Sequence, residues 1–415
     1  MLVVDARSTG ARGATRIAVN NVGGDGALTQ GSGIAVVALT NPSPSASDPN
    51  AFALNGRAVA GVYEYGLFRG DQNGANPDVW YLRSERGAAP TPNPQALYRP
   101  EVAAYLANQR LAGQMFVHSL HDRLGEPQYV ETQGFTKPDD KPRAGWLRVV
   151  GNWQGSRSKD GINKTSTDAF LLHGGLEIAK WQVGSETDRA HAGLMASYGN
   201  ASTSADAAGN VFHAKGKVEG WSVGAYGTWY QNDENRLGTY VDTWFQYGWF
   251  TNRVEGDLLP AVKYNAQGLG LSGEVGYALP LRDGWVAEPQ AQLIYVDYNE
   301  DDITEPNGTR VRGTDSSGII TRLGIRTHRT YERTDGRKYQ PYVTVNWWYS
   351  DTDSSISFNQ VPVGTLYPHN RLELKLGLNA DLGKGFTAWT NVSGSWGQQS
   401  YYQYAVRVGL KYAWK

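Results

Sequence analysis

The chain has 415 residues and a formal net charge of −1, so it offers no electrostatic footprint for a nucleic-acid partner. Its 50 glycines, 24 tyrosines and 14 tryptophans suit pleated strands, and the absence of cysteine excludes a disulfide-stapled scaffold. Mean hydropathy is −0.49 and no run approaches the ~18 apolar residues of a spanning helix, which excludes a helical membrane protein but not a barrel, whose strands alternate.

The first residues, "MLVVDARSTG", lack the basic start and apolar core of a signal peptide. That leaves a cytosolic protein or the mature part of a longer chain. From Leu2 to about Arg83, apolar runs such as "TRIAV", "GIAVVAL", "AFAL", "AVAGVYEYGLF" and "VWYL" recur roughly every 15 to 20 residues. They fit rungs of a β-helix, which bury their apolar faces only by stacking, and equally a small β-sandwich. Within them Tyr63, Tyr65, Trp80 and Tyr81 read as apolar capping of the last rungs. Residues 86–99 follow, with Pro90, Pro92 and Pro94 predicting an extended linker between domains.

Residues 100–125 read as one long amphipathic helix. Pro100 and Glu101 suit its first turn, Arg123 its last turn, and Gly125 a left-handed stop. Some 25 residues would span about 37 Å, close to a bilayer with its interfaces. Its polar residues Glu101, Asn108, Arg110, His118 and Arg123 cannot face lipid. The spacing of His118, His121 and Asp122 could present a metal from one face, but no further His or Cys cluster supports it, so no metal and no cofactor are expected.

From residue 143 to 415 the pattern has period two. In "YYQYAVRVGLKYAW", Tyr402, Tyr404, Val406, Val408, Leu410, Tyr412 and Trp414 share one face, and Gln403, Arg407 and Lys411 the other. Aromatic residues toward both ends of an apolar face match the interface girdles of an outer-membrane barrel. About twelve such segments follow Gly145, an even number, as a single-chain barrel requires. Tight links such as "SETD", "NDEN", "LRDG", "RTDGR" and "GKG" alternate with longer ones such as "YNEDDITEPNG" and "SDTDSSISFNQVPVGTLYPHN". Short inner turns alternating with long outer loops place both barrel ends on the periplasmic side. Arg148, Asn152, Gln290, Gln292, Arg407 and Lys411 then face the lumen, where they would meet the helix. The expected fold is all-β, a twelve-stranded antiparallel transmembrane barrel with a helix through its pore.

Three separated stretches, "AVAGVYEYGLFRGDQNGANPDVWYLRS", "YRPEVAAYLANQRLAGQMFVHSLHDRLGE" and "VAEPQAQLIYV", resemble the C-terminal part of AIDA-type autotransporters. The resemblance implies that residues 1–85 are the end of a passenger β-helix and its folding junction. It implies a translocator in the Gram-negative outer membrane, in contact with lipid, with the residues before the helix at the cell surface. It further implies export of the chain's own upstream passenger by a monomer, with periplasmic chaperones and the barrel assembly machinery as partners. Tyr412 and Trp414 would carry the C-terminal assembly signal, although the chain ends on Lys415. Several subfamilies cleave at an Asn-Asn pair in this helix; here Asn108 precedes Gln109, so an uncut tether is expected.

Two other functions remain in view. Asp351, Asp353, His369 and the serines of "GTDSSG" would serve a rim protease or esterase, but no GxSxG elbow is present, and no enzyme is expected. A porin or a surface adhesin without secretion is the other class, and the porin version would leave the lumen open.

Overall fold

The computed structural model describes residues 1–5, 11–40, 47–86, 95–126, 128, 143–315, 317–352, 355–364 and 366–414. Twelve antiparallel strands, β1 (Arg143–Arg157), β2 (Asn163–Trp181), β3 (Arg189–Ala207), β4 (His213–Tyr230), β5 (Gly238–Gly256), β6 (Val262–Pro280), β7 (Trp285–Glu300), β8 (Gly318–Arg329), β9 (Lys338–Ser350), β10 (Asn370–Gly383), β11 (Phe386–Gly397) and β12 (Tyr402–Trp414), pair in chain order. The last pairs with the first, from Tyr402↔Gly155 to Trp414↔Arg143, so the barrel is closed and, among the described residues, no barrel strand is left as a sheet edge.

The period-two pattern decides which face is which. Along β12, Tyr402, Tyr404, Val406, Val408, Leu410 and Tyr412 are exposed, while Ala405, Gly409 and Lys411 are buried inside. On β9 the same alternation exposes Val343, Val345 and Trp347 and buries Thr344, Asn346 and Trp348. Exposed Leu, Val and Ile around the barrel, with Trp153, Trp221, Trp249, Trp285 and Trp396 among them, form an apolar belt too extensive for a surface in water. That belt is the lipid face. Among the described residues no helix is long and apolar enough to cross a membrane.

At the mouth with the longer loops, the loops after β7 and β9 form a four-stranded sheet from Ile303–Thr304, Arg310–Asp315, Ser355–Phe358 and Val361–Val363. Much of the second of these loops turns away from solvent. Ile356 and Phe358 are fully buried, so the loop folds inward as part of the core. Asp353 lies outside the described residues.

The N-terminal segment stacks in parallel, with Leu2–Asp5 on Ile34–Thr40 and Thr15–Ile17 on Phe52–Leu54. Leu2 pairs with Val37 and Thr15 with Phe52, so one turn of coil takes 35 or 37 residues. Parallel stacking at that interval is β-helical and disfavours the sandwich. It also corrects the expected spacing: runs 15 to 20 residues apart are faces of one coil, not successive rungs. An antiparallel set, Ala58–Ala60, Tyr63–Arg69 and Val79–Arg83, closes the stack. Residues 95–99 are not spacer: Leu97 N–H donates to the Ser84 carbonyl and Glu64 N–H to the Leu97 carbonyl, extending that set. Pro90, Pro92 and Pro94 lie outside the described residues, as does Lys415.

Candidate functional site: a helix held in the barrel lumen

The expected continuous helix is two pieces, α1 (Glu101–Gln114) and α2 (Leu120–Leu124). The break has a local cause. Ser119 Oγ accepts from the Asp122 N–H at 3.2 Å and donates to Asp122 Oδ2 at 3.0 Å, a side-chain cap that starts a second helix. Gly125, at φ 68°, ends it by returning its N–H to the His121 carbonyl. Fourteen residues of α1 cover about 21 Å, so the remaining depth is crossed by the break and α2.

Every residue of α1 from Glu101 to Ala112 is buried, so the helix is enclosed on all sides rather than amphipathic. Its outer half packs on lumen residues that are small or apolar, including Ala205, Ala214, Val218, Val254 and Phe358. Tyr105 lies between Tyr264 and Phe358, with ring centroids at 5.8 and 5.7 Å. Gly216 on β4 permits the approach: a Cβ there would meet Asn108 Oδ1 at 2.5 Å and the Ala104 carbonyl at 3.0 Å. Gly216→Val is expected to strain this contact by roughly 1–3 kcal/mol. A lowered urea midpoint of the detergent-solubilised barrel, with insertion retained, checks it.

Two buried clamps hold the outer end. Arg57 donates from Nη1 to Glu101 Oε1 at 2.6 Å and from Nη2 to Glu64 Oε2 at 2.5 Å, joining junction to helix. Burial works against the Arg57 charge, but hydrogen bonds to Glu64 and Glu101 outweigh it and hold the guanidinium above its ordinary value. Burial also lifts the Glu64 carboxyl, against the pull of Arg57, and pushes the Tyr65 phenol up to about 12. Arg99 pairs with Glu305 of an outer loop at 2.7 Å and donates from Nε to the Gly61 carbonyl.

The inner end is held by charge. Arg123 reaches Asp242 at 2.6 and 3.1 Å and Thr228 at 3.2 Å, with its guanidinium 4.2 Å from the centre of the Tyr226 ring. Lys375 donates to Asp122 at 2.7 Å, His121 Nε2 lies 2.7 Å from Glu288, and Arg326 donates to Glu126 at 2.6 Å. The wall also satisfies backbone groups left open by the break. Trp244 Nε1 and Gln292 Nε2 donate to the His118 carbonyl, and Trp389 Nε1 to the Asp122 carbonyl.

The predicted helix residues all sit in the lumen, and their side chains mostly take partners other than those expected. Glu101 takes Arg57, Asn108 donates to the Arg253 carbonyl, Arg110 lies over Tyr367, His118 stacks on Trp244, and Arg123 takes Asp242. Of the predicted wall residues, Gln292 meets the helix directly and Arg407 approaches Asp122 at 3.7 Å. Arg148 donates to His173, Gln290 to Glu288, and Lys411 faces Glu177, while Asn152 lines a cavity beside the helix. His118, His121 and Asp122 point to three different partners and do not converge. Trp80 is buried against Phe52 at 4.8 Å, Tyr65 donates to the Ala27 carbonyl, Tyr63 packs on Tyr98, and Tyr81 is half-buried. Tyr412 stacks on Phe386 at 4.4 Å and on Trp414 at 6.0 Å. His369 Nδ1 lies 2.8 Å from the Ser350 carbonyl oxygen, and the Ser317 hydroxyl donates to Asp297.

Sequence reasoning passed over Arg57, Arg99, Asp242, Glu288, Glu305 and Arg326. The inner acids and Arg326 had a usable signal, since each stands on the small or polar face of an alternating strand. Arg57, Arg99 and Glu305 lie in turns and loops, where no periodicity marks them.

The pattern of a closed twelve-stranded barrel with a helix through it is matched by known proteins. The family described as Autotransporter beta-domain matches residues 145–393, and that described as Autochaperone Domain Type 1 matches residues 1–67. The chain belongs to the autotransporter family. Its residues are 37% identical to the YuaQ protein of Escherichia coli K12, over 97% of this chain and 30% of that one. They are 30% identical to the E. coli autotransporter adhesin AIDA-I, over 97% of this chain and 31% of that protein. The chain thus spans under a third of either relative's length. The crystal structure of the AIDA-I transport unit superposes with a TM-score of 0.66 at 27% identity, covering 76% of this chain and all of that one. This autotransporter barrel is therefore a translocator of the AIDA type, and its place is the outer membrane.

Proposed function

We propose that this autotransporter unit exports its own upstream passenger and keeps residues 100–125 in the pore afterwards as an uncut plug. Residues 1–85 act as the folding junction at the cell surface, and residues 143–415 as the barrel. The observation that carries this is directional. The junction packs on the long outer loops through Gly61–Thr309 and Arg57–Asp257, and the same chain then descends the lumen to feed β1 from the inner end. The buried helix in the lumen supports a plugged pore over an open porin. The Asn108 side chain donates to the Arg253 carbonyl and is followed by Gln109, which supports a tether left intact.

The unit itself acts without enzymatic chemistry, and an adhesive passenger is the effect favoured by the AIDA-I relative. Lipid, periplasmic chaperones and the barrel assembly machinery, through Tyr412 and Trp414, are the partners this role requires, and the unit works as a monomer. A reporter placed upstream of Met1 is expected to be cut by protease added to intact cells, and to remain attached to the barrel after boiling. A reporter protected until the outer membrane is permeabilised would contradict export.

A further inference from the structure

Two cavities flank α1, and Arg110 lines both. The outer one, about 460 Å³ beneath the loops, is also lined by Arg157, Lys159 and His369, with no carboxylate among its described residues. The inner one, about 120 Å³, is lined by Arg110, Arg148, Arg371 and Arg407, and by the two acids Asp122 and Glu373. Both acids are already engaged. Asp122 accepts from Lys375 at 2.7 Å, and Glu373 accepts from Asn346 and Trp348 at 2.8 and 2.9 Å, with Arg407 4.0 Å away.

Three guanidiniums remain. Arg110 has the face of Tyr367 at 4.6 Å, Arg148 donates from Nε to His173 at 3.0 Å, and Arg371 donates to the Tyr401 hydroxyl at 3.4 Å. Among the described residues none of the three has a carboxylate within 4.0 Å. A charge at bilayer depth is costly unless paired, and arginine's fork of N–H groups suits an anion better than a neutral partner. Rings of arginine are also how pores come to prefer anions.

We propose that the space beside α1 is a binding site for a small inorganic anion, chloride or phosphate, held between Arg110 and Arg148 and reached from the cell surface through the outer cavity. The anion supplies the countercharge that the wall lacks. Arg110 hands it from the outer cavity to the inner one, so residual ion flow past the helix prefers anions.

Crystals of the full chain grown in sodium bromide test this through anomalous scattering, with Arg110→Gln/Arg148→Gln as the comparison. Expected is a bromide peak beside both guanidiniums, displaced by phosphate and lost in the double variant. Arg371→Gln, which alters one rim position, is expected to weaken the peak without abolishing it, and stands in if the double variant fails to fold. In planar bilayers under a potassium chloride gradient, the reversal potential should show chloride permeability severalfold above potassium, falling toward parity in the double variant. No bromide in the inner cavity, a peak unchanged by the substitutions, or preference for potassium would overturn the proposal.

Discussion

Arg123→Leu is expected to weaken the inner anchor by about 3–5 kcal/mol, because it strands Asp242 in the lumen without its cation. Both side chains of the pair have 0% exposure, so water cannot take over the lost partner. Thr228 donates to Asp242 Oδ1 at 2.5 Å but brings no charge. Replacing both residues, Arg123→Leu with Asp242→Leu, removes the stranded charge as well as the pair. That double variant is expected to recover most of the loss. Urea unfolding of the detergent-refolded barrel, followed by tryptophan fluorescence, measures the cycle. If the single variant matches the wild type, Arg123 is not an anchor; if single and double variants lose equally, the loss is packing and not charge.

The second large effect falls outside the membrane. Trp80 is 1% exposed and forms the centre of the cluster with Val37, Leu39 and Ala51 that closes the β-helical stack. Trp80→Ala should cost the junction about 3–5 kcal/mol, the range for a large buried aromatic. Tyr81 is half-buried beside Arg83, so adding Tyr81→Ala deepens the loss only modestly. Among the described residues that cluster contains none from the barrel, whose heat-modifiable mobility should be unchanged. A terminal coil that no longer caps the stack leaves the passenger's last apolar face open. The displayed passenger is therefore expected to become protease-sensitive, and undiminished resistance in Trp80→Ala would remove the folding role of the junction.

How far the sequence revealed this arrangement differed by region, for physical reasons. Barrel strands were legible because two solvents, lipid and lumen, impose opposite chemistry on alternate residues, as at Val406 and Arg407. The helix was legible as polar and confined, but not as broken. Ser119 and Asp122 carried the capping signal, which was masked because His118, His121 and Arg123 fit a continuous polar stretch equally well. The apolar upper lumen was hidden for a related reason. Alanines such as Ala205 and Ala214 are neutral in an alternating pattern, and only the fold reveals that they admit Tyr105 and Leu106. Partners of the site residues lay furthest from reach. Arg57 and Glu101, or Arg99 and Glu305, meet across separate elements, and alternation fixes a face without fixing which residue stands opposite.

The threaded helix is the centre of the account, and a chain with no cysteine permits a direct test. A Cβ built on Gly113 in α1 would lie 3.8 Å from Cβ of Tyr298 on β7, about the spacing of a disulfide. The variant Gly113→Cys/Tyr298→Cys, expressed and oxidised in intact cells, is predicted to yield membrane-inserted barrel whose tether stays attached after proteolysis between helix and first strand. Release of the tether under oxidising conditions, from barrels shown to be inserted, would mean that α1 is not held in the lumen.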